Sequence, residues 1–235
     1  MRDDIKIIGK SLFLKKTSTL ILGDIHIGLE SAMNQNGLLI PRFQYEDLKK
    51  TTREYIKKTS PKQIVLNGDI KHEFGKITKQ EWKQTEEYIK ILNKKAKLHL
   101  IEGNHDKLLK IITEKLGLEL KKYFYTDGFF ITHGDELIKN DDYEKAHTVI
   151  IGHDHPAISL QEGGRQETYK CFLEGKYEDK NLIMMPSMHE ISEGTDILKE
   201  NIMSPYIKKI NDFKVHIVGE KTMEFGKLKD LKKII

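Results

Sequence analysis

Short apolar runs alternate with longer amphipathic segments along the first two thirds of the chain. The short runs are β-prone and too brief for helices, so they predict strands. Five of these runs cover residues 19–22, 63–66, 97–101, 129–131 and 148–151. An earlier hairpin is predicted over residues 5–8 and 12–14, with its turn at Gly9 and Lys10.

Three of the intervening segments show the apolar spacing of helices rather than the alternation of strands. The first starts near Pro41 and carries Phe43, Leu48, Tyr55 and Ile56 among charged residues. The second runs over residues 79–95, and the third follows Asp106 as far as Gly117. Each helix returns the chain to another of the five predicted strands.

The pattern changes after residue 155. Short strands are predicted at residues 157–160, 168–173, 182–185, 215–218 and 222–225, with glycine-rich or charged turns between them. We expect an antiparallel sheet that completes an α/β fold. The chain of 235 residues fits a single domain over 1–235, with its main motifs in 19–156 and a β-rich completion in 157–226.

Composition narrows the class of protein. The 40 Lys and Arg against 36 Asp and Glu give a net charge of +4, too small to indicate nucleic-acid binding by itself. The single cysteine, Cys171, excludes an internal disulfide framework, and no apolar stretch approaches the length of a membrane span. We therefore expect a cytoplasmic protein with no membrane partner.

Each of the five strands leads into a short segment that carries Asp, Asn or His. The segments are GDIH at 23–26, GDIKH at 68–72, GNHD at 103–106, THG at 132–134 and GHDH at 152–155. Carboxylate, imidazole and amide oxygen together suit divalent ions, and ligands gather where strands of an α/β sheet end. A single tetrahedral zinc needs fewer ligands, so two ions that share a carboxylate are expected.

The order and spacing of these segments resemble the calcineurin-like metallophosphoesterases over about residues 19–156. The resemblance implies a four-layer αββα sandwich of two mixed β-sheets flanked by helices. It also implies a shared ligand, Asp69, and a catalytic non-ligand histidine, His105. By resemblance the first ion is held by Asp24, His26, Asp69 and His155, and the second by Asp69, Asn104, His133 and His153.

The implied chemistry is phosphoester hydrolysis by a hydroxide shared between two divalent ions. His105 would act as the catalytic acid toward the leaving oxygen, and the adjacent Asp106 would orient its ring and raise its basicity. Asp106 could also be the N-cap of the following helix. Mn²⁺ is the expected ion because the ligands are mixed, and Fe, Zn, Ni and Mg stay open.

The second segment bears on the substrate. His72 occupies the position of a second acidic residue in phosphoprotein phosphatases, and no Arg follows it. This resembles nucleases of the Mre11 and SbcD type, and the run GDIKHEF at 68–74 resembles an archaeal phosphoesterase group related to them. Phosphodiesters are therefore the expected substrates, either DNA or RNA ends or cyclic nucleotides.

Candidate substrate contacts are His72 and Arg42. Arg42 belongs to a loop over residues 30–43, and residues 186–190 form a second candidate wall of the substrate site. His72 could instead be a packed loop residue, and both walls could be ordinary surface turns.

The length of the chain and its set of ligand residues bear on two alternatives, a processive nuclease and a non-catalytic scaffold. Roughly 80 residues follow the last motif, without heptads, which argues against a processive nuclease with a DNA-capping domain and a coiled-coil partner. A non-catalytic scaffold or binding subunit, similar to the Vps29-like proteins, is the alternative function. Such scaffolds commonly lack ligands, whereas every ligand position and His105 is present here, so an enzyme is favoured. The oligomeric state is left open, with a dimer among the options.

Overall fold

A computed structural model of the chain describes residues 2–38, 40, 43–75, 77–162 and 165–231. The strands are β1 (Ile5–Ile8), β2 (Ser11–Leu14), β3 (Thr19–Gly23), β4 (Gln63–Asn67), β5 (Lys97–Ile101), β6 (Leu120–Lys121), β7 (Tyr123–Thr126), β8 (Phe129–Thr132), β9 (Thr148–Ile151), β10 (Pro156–Glu162), β11 (Arg165–Tyr177), β12 (Lys180–Met184), β13 (Thr195–Asp196), β14 (Lys214–Ile217) and β15 (Met223–Lys227). The helices are α1 (Leu29–Gln35), α2 (Gln44–Thr59), α3 (Lys79–Asn93), α4 (Leu109–Lys115), α5 (Asp141–Lys145) and α6 (Leu228–Leu231).

The strands form two mixed sheets. The six-stranded sheet has the order β1-β2-β3-β4-β5-β6, and its strands from β3 onward pair in parallel. The nine-stranded sheet has the path β13-β10-β11-β12-β9-β8-β7, and β14 and β15 extend it beyond β11. The middle strands of this sheet are also parallel, because β9 pairs in parallel with both β12 and β8.

Three apolar clusters hold these layers together. One cluster joins the facing sides of the two sheets through residues such as Val65, Ile131 and Phe172. A second packs α2, α3 and α4 on the outer side of the six-stranded sheet. The third covers the other side of the nine-stranded sheet with α5, α6 and the segment around Tyr206 and Phe213. The predicted α/β fold of two mixed sheets with helices is therefore confirmed.

Several element boundaries differ from the prediction. Helix α1 occupies part of the region predicted as a loop, where it follows Gly28 at a left-handed φ of 99°. The helix expected from Pro41 begins at Gln44 in the structure, and residues 41 and 42 lie outside the described residues. The helix expected directly after Asp106 begins at Leu109. Helices and strands of two to seven residues contain too few apolar positions for a helical or strand periodicity to be recognised in the sequence.

The strands after residue 155 do not form a separate antiparallel sheet. Hairpin pairing joins β10, β11 and β12, as expected, but β12 then pairs in parallel with β9. The back of the chain thus widens the sheet that already carries two of the ligand strands. No helix within the described part of the chain is both long and apolar enough to cross a membrane.

Candidate dinuclear metal centre

The candidate ligands follow the carboxyl ends of five strands, divided between the two sheets. Strands β3, β4 and β5 of the six-stranded sheet lead into what we call the first edge, which carries Asp24, His26, Asp69, Asn104 and His105. Strands β8 and β9 of the nine-stranded sheet lead into the second edge, which carries His133, His153 and His155. The centre is thus built across two sheet edges, not along one.

Unusual backbone conformations are concentrated at these positions. Left-handed φ values at residues other than glycine cost about 1–3 kcal/mol each and cluster at functional sites. Nine such residues occur in the described part of the chain, and five of them are candidate ligands. Those five are Asp24 (52°), His26 (49°), Asp69 (47°), His153 (72°) and His155 (49°).

Three of the glycines that open the segments leave room for ligand side chains. A side chain at any of them would collide with a ligand, because an ideal Cβ would lie closer than any ordinary contact. The distances are 2.2 Å from Gly68 to His133 Nδ1, 2.2 Å from Gly103 to Asp69 Oδ1 and 2.3 Å from Gly152 to Asp24 Oδ2. The glycine pattern in the sequence therefore reflects close packing around the candidate ligands.

The four side chains predicted for the first ion lie together. Asp24, His26, Asp69 and His155 each offer one ligand atom within 4.8 Å of the others. His155 Nε2 is 3.2 Å from Asp24 Oδ1 and 3.1 Å from His26 Nε2. His26 Nε2 is in turn 3.6 Å from Asp69 Oδ2.

The side chains predicted for the second ion form a neighbouring group. Asp69, His133 and His153 also offer ligand atoms within 4.8 Å of one another. His133 Nε2 lies 3.4 Å from Asp69 Oδ2, 3.3 Å from His153 Nδ1 and 3.0 Å from Asn104 Oδ1. The structure therefore brings all seven predicted ligands together, with Asp69 common to both groups.

The charge and burial of the centre fit divalent ions. Asp24 and Asp69 are both buried, and Asp24 Oδ2 has no hydrogen-bond partner among the described residues. A buried carboxylate oxygen without a partner is costly unless a cation lies beside it. Burial lowers the pKa of His133, but the hydrogen bond to Asp69 and the charge of that carboxylate outweigh it and raise the pKa to about 10. The two carboxylates therefore favour positive charge beside them, whereas burial and then the charge of His155 lower the pKa of His26 to about 3.

His105 is held in one orientation beside the shared carboxylate. Its backbone N–H donates to Asp69 Oδ1 at 3.0 Å, and its ring Nε2 lies 3.8 Å from Asp69 Oδ2. Its ring Nδ1 donates to the carbonyl oxygen of His72. Because a carbonyl oxygen only accepts, the Nδ1 atom carries a proton, and Nε2 is the nitrogen that faces the centre.

Asp106 does not hold the His105 ring as the sequence suggested, and this part of the prediction needs correction. Its buried carboxylate accepts hydrogen bonds from the backbone N–H groups of Gly103, Ile70 and Lys71 at 3.0–3.2 Å. Burial, and then the charge of Asp69, raise its pKa to about 7. Asp106 also does not cap α4, whose N-cap position is occupied by Leu108. It braces the two turns that follow β4 and β5.

Of the two predicted substrate contacts, the structure places His72 at the centre. The ring of His72 is half-buried, its Nδ1 is 3.4 Å from His26 Nδ1, and it stacks on His105 with centroids 5.4 Å apart. Arg42 lies outside the described residues. His72 therefore lies beside the candidate ligands, and its role as a substrate contact stays a prediction.

A buried histidine that was not predicted as a ligand also reaches the centre. The ring centroid of His189 lies 5.4 Å from that of His26 and 5.5 Å from that of His155, and the three could jointly hold an ion. Burial, and then the charge of Lys170, lower its pKa well below the ordinary value. His189 follows β12, which is parallel to β9, so its segment ends at the second edge. Residues 186–190 were predicted as a candidate wall of the substrate site, and His189 belongs to that segment, but its place among the possible ligands was not predicted.

Two residues of the run after Asp69 were also missed. Lys71 is wholly buried and donates through Nζ to the carbonyl oxygen of His105 at 2.6 Å. The ring of Phe74 packs on the ring of His105, with centroids 3.6 Å apart. Neither contact could be predicted from the positions of these residues in the sequence, because Lys71 and Phe74 lie more than 30 positions before His105.

Two mixed sheets with candidate metal ligands at their edges form a metallophosphoesterase-like fold. The model of the calcineurin-like phosphoesterase family matches residues 17–219, and the chain belongs to that family. The closer relation to the archaeal SbcD- and Mre11-related group stays a prediction from the sequence. No curated protein sequence matches the chain.

Several solved structures resemble the chain at low sequence identity. The nuclease MPE of Pseudomonas putida is 18% identical, with a TM-score of 0.67 and 94% of each chain covered. The phosphoesterase YfcE of E. coli is 13% identical, with a TM-score of 0.41 over 86% of this chain and 88% of its own. Vps29 of Entamoeba histolytica, solved with Zn²⁺, is 16% identical, with a TM-score of 0.37 over 88% and 99%.

Proposed function

We propose that the chain is a phosphodiesterase that depends on two divalent ions and hydrolyses nucleic-acid or nucleotide phosphodiesters. One observation carries the proposal: two groups of ligands share Asp69, and His105 Nε2 faces the same carboxylate. A pair of ions held there would lower the pKa of a shared water and neutralise the phosphoryl oxygens.

We propose the division of ligands between the ions that the family resemblance implies. The first ion would be held by Asp24, His26, Asp69 and His155, and the second by Asp69, Asn104, His133 and His153. We favour Mn²⁺, since carboxylate, imidazole and amide ligands together suit it, and we treat Fe, Zn, Ni and Mg as alternatives.

His105 is proposed as the catalytic acid. The His72 carbonyl accepts from Nδ1, so a proton delivered to the leaving oxygen would come from Nε2, which faces the centre. His72 is proposed as a substrate contact, and Arg42 as a second one. Asp106 acts through the backbone as a positioning residue for the turns that carry Asp69 and His105.

Diesters are proposed over monoesters. No Arg stands in any of the five ligand segments, so these segments offer no bidentate grip for a dianionic phosphate. The shared fold with the nuclease MPE supports a nucleic-acid diester as the substrate. The single domain over 1–235, the cytoplasmic location and a possible dimer remain predictions from the sequence.

The test is metal analysis followed by a substrate panel. We expect two ions per chain and turnover of dinucleotides, cyclic nucleotides or short single-stranded DNA or RNA, highest with Mn²⁺ among Mn²⁺, Ni²⁺, Zn²⁺ and Mg²⁺. A monoester preference of about tenfold, or about 1.4 kcal/mol of transition-state selectivity, would contradict the diester assignment. Absence of both bound metal and turnover would favour the scaffold alternative.

A further inference from the structure

The run that follows Asp69 encloses His105. Lys71 Nζ donates to the carbonyl oxygen of His105 and to that of Glu73, and the His72 carbonyl accepts from His105 Nδ1. Lys71 thus binds the backbone of His105, and His72 binds its ring. The proposed function gives His72 a role at the site but none to Phe74, the last residue of this run.

Phe74 ends this run at the surface beside the centre. Its ring lies against the ring of His105, with centroids 3.6 Å apart and planes inclined by 35°. Its side chain is nevertheless 49% exposed. Phe74 therefore presents a large apolar aromatic surface to solvent in direct contact with the proposed catalytic acid.

The loop that carries Phe74 is anchored. Glu81, in the first turn of α3, accepts from the backbone N–H groups of His72 and Glu73 through Oε1, at 3.0 Å in each case. Thr78 caps the same helix by accepting from the N–H of Glu81 at 3.1 Å. A ligand that binds to Phe74 would meet a positioned surface, so little conformational entropy would be lost on binding.

We propose that Phe74 is the stacking platform for one nucleobase next to the scissile phosphate. The inference rests on the proposed function, because it assumes a phosphodiester that bears bases. Every nucleobase has an aromatic face, so stacking here would bind bases with little preference for sequence. The contact between Phe74 and His105 places the stacked base on the side of the leaving oxygen.

Shielding of His105 is the competing role for Phe74. A shield needs only apolar volume, which Phe74→Leu keeps, whereas stacking needs an aromatic face, which Phe74→Leu removes and Phe74→Tyr keeps. The two variants therefore separate the roles. Phe225, which is 37% exposed on the edge strand β15, offers a matched control in Phe225→Leu.

The experiment measures KM and kcat on the dinucleotide of thymidine and on its two counterparts that each lack one base. Stacking of a base is worth about 1–3 kcal/mol, which converts to about a 5- to 150-fold change in KM. We expect that removing one particular base raises the KM of the wild type by such a factor. Phe74→Leu should raise the KM of the full dinucleotide similarly, but should not raise it further for the counterpart that lacks that base. Phe74→Tyr and Phe225→Leu should resemble the wild type.

A second readout reports stacking without turnover. Phe74→Trp in a Trp82→Phe background places a single tryptophan at the platform, because the chain has one Trp, and its fluorescence can be excited selectively over that of tyrosine. A phosphorothioate dinucleotide should quench this fluorescence, and the counterpart that lacks the stacked base should quench it much less.

Equal KM changes on all three substrates in Phe74→Leu, or a loss confined to kcat, would show that Phe74 only covers His105 and would overturn the proposal. If the wild type hydrolyses neither these three substrates nor the cyclic nucleotides and short single-stranded DNA and RNA of the substrate panel, the proposed function fails separately. Fluorescence then decides about Phe74: base-dependent quenching of the Phe74→Trp variant supports stacking, and its absence overturns it.

Discussion

The two edges that meet at the centre contribute unlike groups. The first edge supplies both carboxylates, the amide of Asn104, the imidazole of His26 and the non-ligand His105, whereas the second edge supplies three imidazoles and no other kind of ligand. All the negative charge among the predicted ligands thus comes from the six-stranded sheet. We infer that the first edge determines whether two ions bind and react, and that the second edge adjusts how tightly each is held.

The two edges also depend on each other. Asp24 Oδ1 accepts from the backbone N–H of His153 at 3.1 Å and lies 3.2 Å from His155 Nε2. Asp69 Oδ2 lies 3.4 Å from His133 Nε2. Each carboxylate of the first edge therefore meets imidazole residues of the second, and the complete centre exists only where the sheets pack together.

A buried aspartate braces each edge in a different way. Asp106 accepts from backbone amides of the two turns that carry Asp69 and His105. Asp154 accepts from the backbone amides of Met203 at 2.6 Å and Ser204 at 3.0 Å. These two residues belong to a segment outside the ligand strands. Asp106 therefore joins two turns of the first edge to each other, whereas Asp154 joins the second edge to the segment that contains Met203 and Ser204.

The largest effect is expected for Asp69→Asn. The substitution removes the charge of the one ligand common to both groups, and breaking a buried charge interaction costs about 3–5 kcal/mol. We expect at most one ion per chain and loss of nearly all activity. Metal analysis and turnover of a dinucleotide on the same sample measure both.

His153→Ala is the matched change on the second edge. It removes one neutral ligand of the second ion, so we expect a smaller loss that added Mn²⁺ restores. Two ions and normal turnover in Asp69→Asn would contradict the shared role of Asp69. Equal losses of turnover in both variants, with no recovery on addition of Mn²⁺, would contradict the proposed difference between the edges.

His105→Ala should separate chemistry from metal binding on the first edge. We expect unchanged metal content and a fall in kcat of about 10²- to 10⁴-fold, as is typical of general acid catalysis. The defect should be several-fold larger on a dinucleotide than on a nitrophenyl ester, since an alkoxide needs a proton to leave and a nitrophenolate does not.

Both substrates are measured on wild type and variant. Equal defects would indicate that His105 mainly stabilises phosphoryl charge. Loss of an ion would make His105 a ligand and would refute its assignment.

A smaller effect is expected where the edges touch. In Gly152→Ala a Cβ would lie 2.3 Å from the buried Asp24 Oδ2, and overpacking of this kind typically costs about 1–3 kcal/mol. In Gly23→Ala the nearest atom would be the Asn67 carbonyl oxygen at an ordinary 3.8 Å. We expect Gly152→Ala to lower the free energy of unfolding and weaken metal binding, and Gly23→Ala to change both little. Equal free energies of unfolding for Gly152→Ala and Gly23→Ala in denaturant titrations would contradict the close packing of the edges.

The ligand strands and their segments could be predicted because each strand is apolar and each segment is polar. Their division between two sheets could not be derived from local pattern, since each strand has the same apolar character in either sheet. Residues 186–190 were predicted as a wall of the site, but the contact of His189 with His26 depends on the pairing of β12 with β9, which joins distant parts of the chain. Asp106 was misassigned because sequence adjacency suggested His105 as its partner, whereas its carboxylate contacts amides at Ile70 and Lys71.

The most direct test of a shared dinuclear centre is an anomalous-difference map from crystals of the Mn²⁺-loaded protein. A shared dinuclear centre should give two peaks about 3.5–4 Å apart on either side of Asp69. One peak should contact Asp24, His26 and His155, and the other should contact Asn104, His133 and His153. A single peak, or two peaks that do not share Asp69, would contradict it.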